Sequence, residues 1–107
     1  MMDIVDRYTY RVIWSEDDRE FVGLCAEFPS LSWLSVERED ALRGIVQLVR
    51  DTVADLDHDE ETPQPLTERA YSGELRIRIP PAVHQRLAIE AAERGTSLNK
   101  IIVHKLS

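Results

Sequence analysis

Residues 74–81 read Glu-Leu-Arg-Ile-Arg-Ile-Pro-Pro, and no other stretch limits so tightly what this chain can fold into. Leu75, Ile77 and Ile79 alternate with Glu74, Arg76 and Arg78. Side chains two apart on a strand share a face, so one face is apolar and the other carries two guanidiniums and a carboxylate. Pro80 and Pro81 stop the strand and suit the first turn of a helix, where a missing N–H costs nothing. Val83, Leu87, Ala88 and Ala91 then recur at helical spacing. Gly95 supplies the left-handed closing residue and Ser97 caps a second helix. One short strand cannot bury its apolar face alone, and two short helices make too small a core.

This strand, Pro pair, helix, Gly-Thr-Ser-Leu-Asn turn and second helix resemble the ribbon-helix-helix family of transcriptional regulators. The resemblance covers the last third of the chain. It implies that two chains pair their strands antiparallel, so the protein is at least a homodimer, and that the two-stranded ribbon lies in the major groove of operator DNA. Glu74, Arg76 and Arg78 would then meet base edges, Arg at guanine O6 and N7 and the carboxylate at cytosine N4. Ser97, Leu98 and Asn99, opening the second helix, would offer backbone N–H groups to a phosphate, with the charge of Lys100 beside them. The plainer alternative is an edge strand with a solvated polar face.

Charge is divided unevenly along the chain. Residues 1–72 hold seven Lys/Arg against seventeen Asp/Glu, whereas residues 73–107 hold six against three. A net-acidic protein binds DNA only through a local basic patch, because the remainder repels phosphate. The acidic part therefore serves either solubility or docking of a basic partner. With 107 residues, 31% charged and 43% hydrophobic, the composition is that of one ordinary globular domain or two very small ones. No segment has the length of a membrane span, the acidic start is unlike a secretory signal, and the single Cys25 permits no intrachain disulfide. A cytoplasmic location is the simplest expectation.

In the acidic part, residues 7–15 alternate as a strand, with Tyr8, Tyr10, Val12 and Trp14 opposite Arg7, Thr9, Arg11 and Ile13. Glu16-Asp17-Asp18-Arg19 is a hairpin connection, and residues 20–27 form a second strand with Phe21, Gly23 and Cys25 on one face. Residues 31–34 suggest a short third strand. Residues 37–57 predict a helix whose stripe is Leu42, Ile45, Val46, Val49, Val53 and Leu56, with Ser35 as its cap. Residues 58–72, containing a charge run, Pro63, Pro65 and Ser72-Gly73, read as a linker.

The stretch Val22-Gly23-Leu24-Cys25-Ala26-Glu27-Phe28-Pro29, followed by Ser30-Leu31-Ser32, Asp40-Ala41-Leu42 and Gly44-Ile45, resembles the HicB antitoxin family of bacterial toxin–antitoxin systems. Tyr8 to Val12 and, loosely, Trp14 to Asp18 match the way members begin, and a branch of that family carries a C-terminal ribbon-helix-helix domain. The resemblance implies an α+β architecture. Residues 1–57 would form a toxin-binding domain like a partial RNase H fold (β-β-β-α), 58–72 a linker, and 73–107 a DNA-binding, dimerising β-α-α domain. It further implies an antitoxin that neutralises a HicA-type ribonuclease toxin and represses its own operon. Trp14, Phe28 and Trp33 are candidate aromatic anchors for the toxin, each with core packing as the plain alternative.

Catalysis is not expected. Glu16, Asp17, Asp18 and the run 57–61 lie in loops or at a helix end, and consecutive residues do not converge readily on one ion. His84 and His104 sit on different helices, and Cys25 suits a buried strand position. No metal or cofactor is expected. Two other classes compete with the antitoxin: a free-standing ribbon-helix-helix repressor with a ligand-sensing N-terminal domain, and a residual nuclease.

Overall fold

The computed structural model describes residues 2–56 and 61–107, and it is α+β, with a three-stranded antiparallel sheet and three α-helices. The chain divides into two compact units, Met1–Tyr71 and Ser72–Ser107.

In the first unit, strands β1 (Tyr10–Ser15), β2 (Glu20–Cys25) and β3 (Ser32–Ser35) follow one another in the sheet. Val12 is opposite Gly23, which is opposite Trp33; Ile13 is opposite Val22, which is opposite Leu34. Helix α1 (Arg38–Ala54) covers one face. The approach is close because two glycines allow it. A Cβ on Gly23 would run into the Ala41 carbonyl oxygen and the Ile45 side chain, and a Cβ on Gly44 into the Trp33 ring. Tyr10, Val12, Trp14, Phe21, Cys25 and Trp33 therefore share the helix-side face. Val5, Tyr8, Cys25, Ile45 and Val49 form the core, with Phe28, Leu31 and Val53 packed against it.

Several details differ from the sequence expectation. The third strand is Ser32–Ser35, one residue later than the alternation suggested. Helix α1 starts at Arg38 after Glu37, and Ser35 does not cap it; the Ser35 hydroxyl instead accepts from the Glu37 N–H at 3.3 Å. Ala41, Ile45 and Val49 are its buried residues, whereas Leu42 is exposed. The close contact with Gly23 selects the small side chain at 41 for the interior. The expected helix end at 57 and the start of the expected linker lie outside the described residues, as do Asp57, His58, Asp59 and Glu60 of the carboxylate run. A 3-10 turn, Ile4–Arg7, was not legible in advance; it delivers Val5 to the core, and the Asp3 carboxylate accepts from the Val5 N–H.

The second unit consists of α2 (Pro81–Arg94), α3 (Leu98–Leu106) and the segment before them. Pro81 opens α2, Gly95 closes it at φ 66°, and the Ser97 hydroxyl caps α3 by accepting from the Lys100 N–H at 3.1 Å. Ala91 and Ile101 are buried, but Ala88, expected on the inner stripe, is exposed. Residues 74–79, expected as a strand, make no ladder with the rest of the chain. A strand exists through its partner's hydrogen bonds, and the unit contains no second extended segment to pair with.

Gly23→Ala is expected to destabilise the first unit by about 1–3 kcal/mol, since the added methyl must push α1 from the sheet. Thermal or urea unfolding of the variant would measure this; an unchanged midpoint would mean that α1 sits further from β2 than the packing indicates.

Candidate nucleic-acid and protein interfaces

The polar side chains of the alternating segment are free. Glu74, Arg76 and Arg78 are exposed, and among the described residues neither guanidinium takes part in an ion pair. Glu90, half-way along the second unit, is by contrast engaged by Arg94 at 3.2 Å and Lys105 at 3.3 Å. Arg76, Arg78, Arg86 and Lys100 thus keep their charge for something outside the chain, and the second unit carries a local positive excess on an acidic protein.

Gly73, Glu74, Leu75, Arg76 and Asn99 line one surface depression, so the beginning of the segment and the beginning of α3 are neighbours. Ser97 caps the helix, which consumes the Lys100 N–H; the Ile101 N–H goes to the Ser97 carbonyl at 3.2 Å. The N–H groups of Leu98 and Asn99 have no acceptor among the described residues. Two free donors, rather than a longer series, therefore open α3, with the Lys100 ammonium group able to add only its side-chain charge.

The apolar side of this unit is unfilled. Leu75 is 83% exposed, Ile77 61%, Ile89 51% and Val103 57%. Ile77, Ile79, Leu98 and Ile102, together with Arg78 and His84, line a second, more apolar depression. Ala91 and Ile101 are the buried apolar residues of this unit.

The aromatic anchors expected in the first unit do not act as one group. Phe28 is packed against the core with its ring edge-on to Tyr8, centroids 5.5 Å apart. Trp14 lies edge-on to Phe21 at 5.1 Å, donates its Nε1–H to Glu16 at 2.8 Å, and has the Arg19 guanidinium 6.0 Å from its ring. Trp33 lies over Gly44 of α1. Both tryptophans remain nearly half exposed, at 46% and 45%.

One residue of consequence escaped the sequence reading. Glu27 is 9% exposed, and its carboxylate accepts from the Thr9 N–H at 2.9 Å, the Thr9 hydroxyl at 3.1 Å and the Leu66 N–H at 2.9 Å. Burial opposes its charge, but the Leu66 and Thr9 N–H groups outweigh burial and hold the carboxyl below the usual carboxylate range. Through Leu66 this carboxylate fastens part of what the composition suggested was a free linker. Pro65 is fully buried, the Tyr8 hydroxyl donates to the Pro63 carbonyl at 2.7 Å, and Arg7 pairs with Glu68. The stretch 61–71 is thus part of the first unit, a strap across its surface, and the boundary falls at Tyr71 rather than at residue 57. Burial raises the pKa of the Cys25 thiol, which keeps it protonated. Among the described residues no group of three or more His, Cys, Asp or Glu could hold a metal ion, and no helix is long and apolar enough to cross a membrane.

Residues 58–106 match a model of the HicB family. The match covers the strap and the second unit, somewhat less than half of the chain, whereas the Val22–Pro29 stretch that resembles the same family lies outside it. No curated protein and no solved structure matches the chain.

The matched region thus includes Leu66, whose N–H is held by Glu27. Glu27→Gln leaves at least one N–H facing an amide NH₂ and is expected to cost about 1–3 kcal/mol. Because the folded carboxyl titrates below its ordinary value of 4.5, its contribution is fully present above that pH and is lost as the pH falls through the folded value. Protection of the Leu66 amide, measured relative to its intrinsic exchange rate at each pH, should accordingly fall on acidification in the wild type and be low at every pH in the variant. Equal protection of the two at neutral pH would show that the strap does not depend on this carboxylate.

Proposed function

We propose that this protein is an antitoxin that binds and neutralises a HicA-type ribonuclease toxin through its acidic first unit and represses its own operon through a dimeric second unit. The observation that carries this reading is the coincidence, within the HicB-matching region, of an unfilled apolar row at Leu75 and Ile77 with unpaired Arg76 and Arg78 between them.

The physical logic runs from that row. Two copies pairing residues 74–79 antiparallel would supply each other's missing ladder and cover the apolar row with the facing helices, as a ribbon-helix-helix dimer does. Arg76, Arg78 and Glu74 would then stand on the opposite, polar side of the ribbon, the side that reads the major groove. Arg is suited to guanine O6 and N7, and Glu to cytosine N4. The free N–H groups of Leu98 and Asn99 and the charge of Lys100 would hold a flanking phosphate, with Ser97 contributing by fixing the helix start.

The first unit has the complementary role. Its excess of carboxylates suits a protein that must grip RNA phosphates and is therefore basic. The three strands followed by a helix are consistent with a partial RNase H-like fold used for binding instead of catalysis. Of the three expected anchors, Trp14 and Trp33 have the most surface to offer, while the partly buried Phe28 ring packs against the core.

Co-purification of the tagged chain with the product of the adjacent reading frame, followed by RNA cleavage by that product alone and in complex, tests the antitoxin role. A complex whose partner cleaves RNA only when freed is the expected result. A partner without such activity, or none, would leave a DNA-binding regulator whose first unit senses a ligand. For the second unit, Arg76→Ala with Arg78→Ala should weaken operator binding by about 1–3 kcal/mol per lost bidentate contact and leave toxin binding intact. Wild-type operator affinity in that double variant would exclude the segment as the reader.

A further inference from the structure

We infer that the helix-free face of the sheet, centred on Ile13, Val22 and Leu34, is the surface on which the first unit receives its basic protein partner. This rests on the antitoxin reading and deepens it by assigning the contact to a face that none of the expected anchors occupies.

The argument begins with register. Ile13, Val22 and Leu34 are directly opposite one another on the three strands, and Arg11, Leu24 and Ser32 form the next row. Rows two apart share a face, so all six side chains point away from α1. Within the first unit α1 packs on the other side of the sheet, and among the described residues of that unit no further element covers these rows. Ile13 is 42% exposed and Leu34 40%, although both lie in the middle of their strands. An antiparallel sheet can leave one face to water, but that face is then ordinarily polar. Here the central row is apolar from edge to edge, which is the pattern of a covered face.

Charge identifies the occupant. The first unit carries ten more acids than bases over residues 1–72, and the end of this face is bordered by Glu20 and the hairpin acids Asp17 and Asp18, the last accepting from the Ser15 hydroxyl at 2.8 Å. Of the seven bases, Arg7, Arg19, Arg43 and Arg50 are already paired within the unit. Two copies meeting through this face would bring like charge to like charge, whereas a basic protein with its own apolar patch would be drawn in and seated. The tryptophans on the helix side are already engaged, Trp14 by Phe21, Glu16 and Arg19 and Trp33 by Gly44, so their position is explained without a partner. The Ile13–Val22–Leu34 row is not. Arg11 is the one base on this face, at the end remote from the hairpin.

Binding of the full-length chain to the purified product of the adjacent reading frame provides the test, with Ile13→Lys/Leu34→Lys and, separately, Arg11→Glu. Both changed apolar residues are exposed, and added lysines reduce the unit's own repulsion, so folding and operator affinity should be unaffected. The double variant should bind at least about 30-fold more weakly, the effect of removing a central contact, and Arg11→Glu should bind more tightly. Undiminished binding by the double variant overturns the assignment of this face while leaving the antitoxin reading in place. Should the double variant fail to fold, Arg11→Glu decides alone: tighter binding supports the face, and unchanged or weaker binding overturns it. A change in oligomeric mass without a change in partner affinity would give the face to a second copy and likewise overturn the proposal. If the wild type does not bind that product at all, the antitoxin reading fails first and the inference with it.

Discussion

An unpaired extended segment and two short helices bury little apolar surface, and this shortage of interior in the second unit is the constraint on which the proposed reading depends. Ala91 and Ile101 are buried there, while Leu75, Ile77, Ile89 and Val103 face outward. Burial of apolar surface is the dominant favourable contribution to folding, so under the proposed antitoxin reading such a unit acquires stability by sharing its interior with another copy. Under the proposed reading, stability and function are then one event. The pairing that covers Leu75 and Ile77 also sets Arg76 and Arg78 side by side on a ribbon.

The first unit solves the same problem within one chain. Gly23 lets α1 come close enough for Ile45 and Val49 to meet Val5, Tyr8 and Cys25. The 3-10 turn and the strap complete the enclosure at its margins, the strap through the Glu27 carboxylate and the Tyr8 hydroxyl. A buried carboxylate is stabilising only where its acceptor capacity is filled, and here Thr9 and Leu66 fill it. The strap also shortens the free connection. What composition suggested was a tether of some fifteen residues has its latter part, 61–71, anchored to the first unit.

Alternation and helical spacing were good guides wherever local geometry determines the outcome. The faces of β1 and β2, the Gly95 closure and the Ser97 cap all stand where the residue types placed them. Side-chain periodicity was less reliable along α1, where Leu42 looks like a core residue and Ala41 is one. The reason is the Gly23 contact, which belongs to another element and leaves no trace in the helix's own pattern. Glu27 was invisible for a similar cause. A lone carboxylate after a strand reads as solvated, and its partners Thr9 and Leu66 are distant in the chain. Two prolines and a charge run likewise resembled a free linker, although Pro65 is among the most completely buried residues.

The amino-acid sequence by itself therefore determined, in outline, the three strands and three α-helices, the separation of an acidic part from a basic one, and the apolar–polar alternation of residues 74–79. Those properties depend on neighbours within a few residues, or on simple sums of charge. Only the tertiary structure decided which face of the sheet α1 covers, that residues 61–71 belong to the first unit, and that Phe28 packs against the core while Ile13 and Leu34 are left exposed. Such outcomes depend on which distant segments come together, and close packing between them is settled by volume and by the satisfaction of buried polar groups, neither of which a local pattern records.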